Sequence, residues 1–259
     1  MNLSSFQDLL ATCPETDPLA RALWGGARAD RLGFAFVAGY QAALARQLGV
    51  TVRASLAVTE SGGGHPKAML TRLVDGALTG EKTFATLASS AEAIFVLAHD
   101  GTRLVLARIR PDAPGVTLVD RAPMPFAPEV PHARLGLAGV VPEELLPGDG
   151  FSDHVRPFRS TEDLHVLAAG LAYMKHLYPR EPEICTLLAA LRAIAPEPHT
   201  PDAHLVLAGA FVATRRIAEA TPTADADVVA RWERDRPLLF VAEAVRAKRT
   251  ENAWIATTK

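Results

Sequence analysis

The sequence predicts an α+β fold in several parts: a short helical segment at the N-terminus, a middle antiparallel β barrel or sandwich, and a C-terminal helical bundle. This prediction depends on three observations. Apolar residues recur at helical spacing near both ends, runs rich in β-forming residues occupy the middle, and Gly, Asp and Pro mark turns between those runs. We place the boundaries at residues 1–50, 51–150 and 151–259.

The N-terminal segment contains one clear amphipathic helix. Its apolar residues recur at helical spacing over 29–48, and Gly49 ends the pattern. Shorter helical pieces are predicted over 8–12 and 17–24. This segment is therefore helical but small.

Short strands separated by turn signals follow in the middle segment. Asp75-Gly76, Thr79-Gly80 and Asp100-Gly101 are the turn signals, and Asp100-Gly101 suits a hairpin because both residues tolerate positive φ. The expected strands are 51–58, 70–73, 83–85, 93–98, 103–109, 116–119 and 135–140. So many short strands are typical of a small barrel or sandwich.

Helical periodicity returns after Gly150. Ser160 or Thr161 can cap the first helix, with Glu162 and Asp163 near its positive end. Helices are predicted over 161–177, 183–194, 203–220 and 225–254. Four consecutive helices bury their apolar stripes most simply in a bundle.

Composition narrows the classes of function. A net charge of -2 and the lack of a basic run argue against nucleic acid as a partner. Cys13 and Cys185 have neither metal-ligand nor disulfide spacing, and the histidines form no metal-binding motif. With no signal peptide and no apolar run long enough to span a bilayer, we expect a cytoplasmic protein with neither membrane nor metal site.

Three local motifs follow one another in and just after the predicted strands. Residues 56–64, Leu-Ala-Val-Thr-Glu-Ser-Gly-Gly-Gly, are similar to the strand ending in Thr-Glu-Pro-x-x-Gly-Ser of the acyl-CoA dehydrogenase family. Residues 78–86 are similar to its Gly-x-Lys-x-(Trp/Phe)-Ile-Thr segment, and 140–146 to its Val-Pro-x-x-x-Leu-Leu exit from the β domain. The chain thus resembles a shortened, divergent member of a family whose subunits consist of a helical domain, a β domain and a helical bundle.

The resemblance implies an FAD site in the middle segment. By position, Thr59 would lie at the flavin's pyrimidine edge, Thr86 near N5, and Phe84 beside the ring. The same strand and glycine cluster would add Glu60, Gly62 and Gly64. The alternative is that Thr59 and Thr86 are ordinary strand residues and Phe84 belongs to the core.

The sequence departs from the family where the cofactor's phosphates and adenine would bind. Gly64-His65-Pro66 replaces Gly-Ser-Asp, and residues 161–164 are acidic where the family has an arginine. The family's Gln-x-x-Gly-Gly-x-Gly stretch has no counterpart between Thr214 and Arg234. Much of that half of the site is expected to be missing.

The resemblance leaves two candidates for the catalytic base that removes the α proton of a thioester. Glu243 follows Arg234-Asp235 at the family's usual interval, although Ala244-Val245 replaces Gly-Thr. Glu162 falls where a minority of the family carries its base. Alternatively, Glu243 belongs to a charged helix face and Glu162 is a first-turn residue that complements the helix dipole.

Two functions therefore remain open. One is an FAD-dependent oxidoreductase acting on a CH–CH bond of an acyl thioester, carried by CoA or a carrier protein. The other is a degenerate, non-catalytic family member that serves as a binding or assembly module. The resemblance also implies a homodimer or homotetramer, because the family's oligomers share their flavin sites.

Overall fold

The computed structural model describes residues 1–258. The helices are α1 (Leu3–Ala11), α2 (Pro18–Gly26), α3 (Leu32–Leu48), α4 (Arg156–Leu177), α5 (Glu183–Ile194), α6 (Pro201–Ala218), α7 (Ala226–Asp235) and α8 (Glu243–Thr257). The strands are β1 (Ala54–Thr59), β2 (Arg72–Val74), β3 (Ala77–Thr86), β4 (Ala93–His99), β5 (Leu104–Ile109), β6 (Val116–Asp120), β7 (His132–Val140) and β8 (Glu144–Leu145). This order confirms the predicted fold class: helices, then strands, then helices.

The chain forms two compact units. The helical unit comprises residues 1–43, 124–129 and the chain from Ser160 onward, and the sheet unit comprises 44–123 and 130–159. The division of the sequence into three consecutive domains stays a prediction. Among the described helices, none is long and apolar enough to cross a membrane.

The strands form one mixed sheet in the order β6-β7-β3-β1-β4-β5-β8, with β2 pairing with β3 and β4. Most pairs are antiparallel as predicted, but β1 and β2 both run parallel to β4. Both are antiparallel to β3, where β1 pairs near Ala85 and β2 near Leu78. Strands β1 and β2 therefore occupy successive parts of one position in the sheet, between β3 and β4, and residues 60–71 separate them. Both strands run in the same direction there, so both are parallel to β4.

Turn chemistry explains the hairpins. Asp75 and Gly76 join β2 to β3 with φ of 50° and 78°, as a two-residue hairpin requires. The turn predicted at Asp100-Gly101 joins β4 to β5. The turn predicted at Thr79-Gly80 is wrong, because both residues lie inside β3. Gly80 instead permits a close backbone approach, since a Cβ there would lie 2.7 Å from the Cα of Thr71.

The core of the sheet unit consists of small and branched apolar side chains from one face of the sheet. Strands β4 and β5 are buried along most of their length. Ala57, Leu78, Ile94, Val96, Val105, Ala107, Leu135 and Val140 are among the core residues. Their burial fixes the register in which the neighbouring strands pair.

Close helix contacts organise the helical unit. A Cβ on Gly39 of α3 would lie 2.5 Å from the Cα of Val166, and one on Gly26 of α2 would lie 2.2 Å from the carbonyl oxygen of Ala169. Both contacts are with α4, whose apolar residues are buried along its length. The two glycines thus let backbones approach where a side chain would separate them.

Two helix predictions in the C-terminal segment are wrong. Helix α4 begins at Arg156, so Ser160 and Thr161 do not cap it and Glu162 lies beyond its first turn. The helix predicted over 225–254 is divided into α7 and α8 by a 3₁₀ turn at Arg236–Phe240. Pro237 lies in that turn, and proline cannot supply the N–H that a continuous α-helix needs.

Candidate functional site

Strand pairing brings the predicted ring-side residues together in the sheet unit. Thr59 at the end of β1 lies opposite Phe84 of β3, at a point where the register shifts. The Thr83 hydroxyl donates to the Thr59 carbonyl oxygen at 3.3 Å. Phe84 and Thr86 are alternate residues of one strand, and a period of two places alternate residues on one face. The two sequence motifs thus meet at one place in the sheet.

Phe84 is half-buried, with a histidine and an arginine beside its ring. The imidazole of His132 on β7 stacks on it with a ring-centroid distance of 4.2 Å and an interplanar angle of 28°. The guanidinium carbon of Arg121 lies 5.5 Å from the Phe84 ring centroid, and its Nη1 donates to the Thr83 carbonyl oxygen at 2.9 Å. A ligand beside Phe84 would therefore also meet a histidine and a cation.

His132 also contacts the second predicted hydroxyl. Thr86 and His132 are register partners of β3 and β7, and Nδ1 lies 3.2 Å from the Thr86 Oγ1. Burial, together with the nearby charge of Arg121, lowers the pKa of His132 to about 4. The imidazole is therefore neutral at pH 7.

The hydroxyl of Thr59 has no hydrogen-bond partner among residues 1–258, and the residue is half-buried. The oxidised flavin's pyrimidine edge presents carbonyl oxygens and a ring N–H, either of which can hydrogen-bond a free hydroxyl. Thr59, Phe84 and Thr86 therefore fit the ring end of a flavin.

Glu60 is used differently. Its carboxylate is buried and accepts hydrogen bonds from the Leu70 amide at 2.6 Å and from the amide and hydroxyl of Thr71 at 3.0 and 2.6 Å. The Lys82 Nζ donates to it at 2.7 Å. Its backbone N–H and carbonyl oxygen are both bonded to Gly63. These contacts occupy Glu60 within the protein, so they do not support its prediction as a flavin contact.

The Glu60–Lys82 ion pair fixes the base of the loop over 61–70. The side chains are 3% and 0% exposed, and the Met69 sulfur lies 2.9 Å from Nζ. Burial would raise the pKa of Glu60, but hydrogen bonds from Lys82, Thr71 and Leu70 outweigh it and hold that pKa below its usual value. Burial lowers the pKa of Lys82 to about 8 against the opposing effect of Glu60. Both partners lie inside the recognised motifs, but their contact could not be inferred from spacing.

The predicted glycines lie on this loop. Gly62 is exposed, and Gly63 has a φ of 92° that favours glycine. The Arg159 Nη2 lies 3.5 Å from the carbonyl oxygen of Gly64. A cation thus lies beside the loop, although the sequence around Glu162 predicts an acidic neighbourhood.

The two candidate bases lie in the helical unit in different settings. Glu243 is the first residue of α8, is 62% exposed, and forms an ion pair with Arg215 at 2.7 Å. Glu162 is half-buried within α4. In the same helix, the His165 Nδ1 lies 2.7 Å from the carbonyl oxygen of Thr161.

Two of the arginines of α8 form ion pairs with Asp163 of α4. Its buried carboxylate forms ion pairs with Arg246 at 3.1 Å and with Arg249. The guanidinium of Arg246 also lies 3.9 Å from the Phe211 ring centroid. These arginines connect α8 to α4 and α6. They do not form the solvated basic face that a charged helix usually presents.

A second buried carboxylate of the helical unit, that of Asp235, forms an ion pair that was not predicted from the sequence. Asp235 is buried, accepts from the Ala127 amide at 2.8 Å and pairs with Arg234 at 2.6 Å. Arg234 also lies 3.3 Å from Glu129, and burial raises the pKa of Glu129. These contacts attach residues 124–129 to α7.

Across 1–258, no group of His, Cys, Asp and Glu has the geometry to hold a metal ion.

Comparison with solved structures identifies the fold. The chain aligns with an acyl-CoA dehydrogenase from Geobacillus kaustophilus at a TM-score of 0.70 and 15% identity, covering 97% of this chain and 90% of that one. Butyryl-CoA dehydrogenase from Megasphaera elsdenii gives 0.68 and 15%, with 98% and 90% covered. FkbI, from the biosynthesis of a methoxymalonyl extender unit, gives 0.64 and 17%, with 92% and 84% covered.

No protein-family model and no curated protein matches the chain by sequence. The structural similarities lie at sequence identities that establish a fold and leave the activity open. The chain therefore has the acyl-CoA dehydrogenase fold, as its motifs predict.

Proposed function

We propose that this chain is an FAD-dependent oxidoreductase that acts on a CH–CH bond of an acyl thioester, with CoA or a carrier protein as the thiol. One observation carries the proposal: in a chain with this fold, Thr59 with its free hydroxyl lies beside Phe84 and Thr86. Bound FAD would supply the two-electron acceptor that no side chain offers.

In this proposal the sheet unit holds the ring. Thr59 would bind the pyrimidine edge, Phe84 would pack beside the ring, and Thr86 would contact N5. Gly62 and Gly64 would bring the loop backbone close to the cofactor, where a larger residue would hold it away. The Glu60 carboxylate would stabilise the base of the loop and not contact the ring, because Leu70, Thr71 and Lys82 already donate to it.

The proposed base is Glu162 or Glu243, which would take the α proton of the thioester on a carboxylate oxygen. Glu162 is half-buried within α4, whereas Glu243 is exposed at the start of α8. Glu243 must release Arg215 before it can accept a proton freely.

An oligomer fits the surface of the helical unit. Val212, Val241 and Trp254 are 73%, 65% and 62% exposed. Exposed apolar residues of this size are commonly covered by another subunit. We propose a homodimer or homotetramer in the cytoplasm, to be tested by light scattering of the purified protein.

The second candidate is a non-catalytic protein that keeps the fold for binding or assembly. Two sets of ion pairs favour this candidate: Glu243 with Arg215, and Asp163 with two arginines of α8. In both, the charged side chains hold helices together. A degenerate member would retain the sheet unit as a folded scaffold.

The visible absorbance of protein purified from cells supplied with riboflavin separates these candidates. We expect bound flavin, whose absorbance bleaches anaerobically with at least one acyl-CoA of a panel. Phe84→Ala and Thr59→Val should reduce flavin content, whereas Thr117→Val on β6 should not. Colourless protein that takes up no added FAD would contradict the oxidoreductase and support the scaffold.

A further inference from the structure

His132 connects the two side chains that the proposed function assigns to the flavin ring. Its imidazole stacks on Phe84 at 4.2 Å, and its Nδ1 lies 3.2 Å from the hydroxyl of Thr86. The pairing of β3 with β7 sets this arrangement, since Thr86 and His132 are opposite each other in register. Neither contact was foreseen from the sequence.

The hydrogen-bonding capacity of His132 is only partly used. A neutral imidazole has one N–H donor and one acceptor nitrogen. Nδ1 is occupied by Thr86, while Nε2 has no partner in the described part of the chain. Burial and the Arg121 charge keep the ring neutral by lowering its pKa to about 4.

Two arrangements of the proton satisfy this contact. If Nδ1 carries the hydrogen, it donates to the Thr86 Oγ1, and the threonine's own hydrogen is free to donate elsewhere. If Nε2 carries the hydrogen, the hydroxyl donates to Nδ1, and both lone pairs on Oγ1 are free to accept. The His132 tautomer thus decides whether the Thr86 hydroxyl can donate to another group or can only accept.

We propose that His132 is a positioning residue that sets the hydrogen-bond role of the Thr86 hydroxyl toward the flavin, an inference that rests on the proposed function. N5 accepts a hydrogen bond in oxidised flavin and donates one in reduced flavin. With His132 behind it, Thr86 can donate to the first and accept from the second. Without His132, the hydroxyl rotates freely and is held in neither role.

Stacking offers a second reason for a histidine at this position. The imidazole covers Phe84 and so orients that ring in the space beside Thr86. A phenylalanine at position 132 would keep the stack and lose the nitrogen. An asparagine would keep a polar group near Thr86 and lose the stack. These substitutions separate the two contacts.

The experiment measures the dissociation constants of oxidised and reduced flavin for the wild type, His132→Phe, His132→Asn and Thr86→Val. We expect His132→Phe and Thr86→Val to change the ratio of these constants by about tenfold, which is about 30 mV in the potential of a two-electron couple. His132→Asn should change it by less than about threefold, because a single hydrogen bond is retained. His99→Phe makes the same replacement at the end of β4, where His99 pairs with Arg72 of β2, and should leave the ratio unchanged.

A second measurement needs no cofactor. Nitrogen NMR of the apoprotein reports the tautomer of His132 and its titration, and Thr86→Val should alter the tautomer ratio. This readout remains if one variant folds poorly.

The outcomes are distinct. If the wild type binds flavin and the ratio is unchanged in both His132→Phe and Thr86→Val, the inference is overturned while the proposed function stands. If the wild type binds no flavin, the proposed function fails and the inference fails with it.

Discussion

At the residue scale, the buried pair of Glu60 and Lys82 shows how a motif can serve the fold. Both side chains are almost completely excluded from water, and Glu60 collects its hydrogen bonds from residues on the far side of the loop. A buried charge that loses its partner retains its desolvation penalty without the compensating attraction.

Lys82→Met should therefore lower the free energy of unfolding by about 3 kcal/mol, because it leaves the Glu60 carboxylate buried beside an apolar side chain. Urea denaturation of the apoprotein measures this. Glu81→Gln, on the same strand, removes an exposed pair with Arg134 and should change stability by less than about 0.5 kcal/mol. Equal effects of the two substitutions would contradict the assignment.

His132 makes stability depend on pH in a definite direction. Its pKa falls from 6.5 to about 4 in the folded protein, so the unfolded chain binds more protons between these values. The free energy of unfolding therefore decreases as the pH falls from 6.5 toward 4, because the unfolded chain takes up a proton that the folded protein resists. His132→Phe should flatten the decline in the urea midpoint between about pH 7 and about pH 4.5. An unchanged slope would show that His132 titrates normally.

At the element scale, glycines determine where helices meet. Gly39→Ala places a methyl group 2.5 Å from the Cα of Val166, so α3 and α4 must separate. We expect a loss of at least about 2 kcal/mol, the range of overpacked cores. A Cβ on Gly209 of α6 would meet no other part of the described chain within 4 Å, so Gly209→Ala should gain about 0.5–1 kcal/mol from helix propensity. Thermal unfolding of both variants checks the opposite signs.

The elements also show where sequence patterns suffice. Helix periodicity predicts α3, α5 and α6 closely, because their apolar faces are regular. Pro237 indicates where α7 and α8 must separate, although periodicity alone continues through it. Thr79-Gly80 has the composition of a turn, yet Gly80 is needed for the approach of Thr71. Composition cannot distinguish a turn from a close backbone contact.

At the scale of the whole molecule, the proposed flavin residues belong to the sheet unit and the proposed bases to the helical unit. Flavin binding and proton removal are therefore proposed for residues of different units, and separate substitutions test them.

Substitution of the base separates Glu162 from Glu243. In flavin-loaded protein, Glu→Gln at the true base should slow anaerobic bleaching by an acyl-CoA by about 10²–10⁴-fold, with flavin affinity unchanged. The other Glu→Gln variant serves as the control. If both retain the wild-type rate, neither residue is the base, and the proton acceptor lies elsewhere.

The sequence by itself determined the order of helices and strands and the identity of the fold, because periodicity and short motifs are local properties. It also named Thr59, Phe84 and Thr86 as a group. Only the tertiary structure decided that Glu60 is occupied by Lys82, that His132 holds Thr86, and that Asp163 binds two arginines of α8. Those contacts join residues far apart in the chain, and they depend on strand register and helix packing, which the buried apolar side chains of the whole fold establish together.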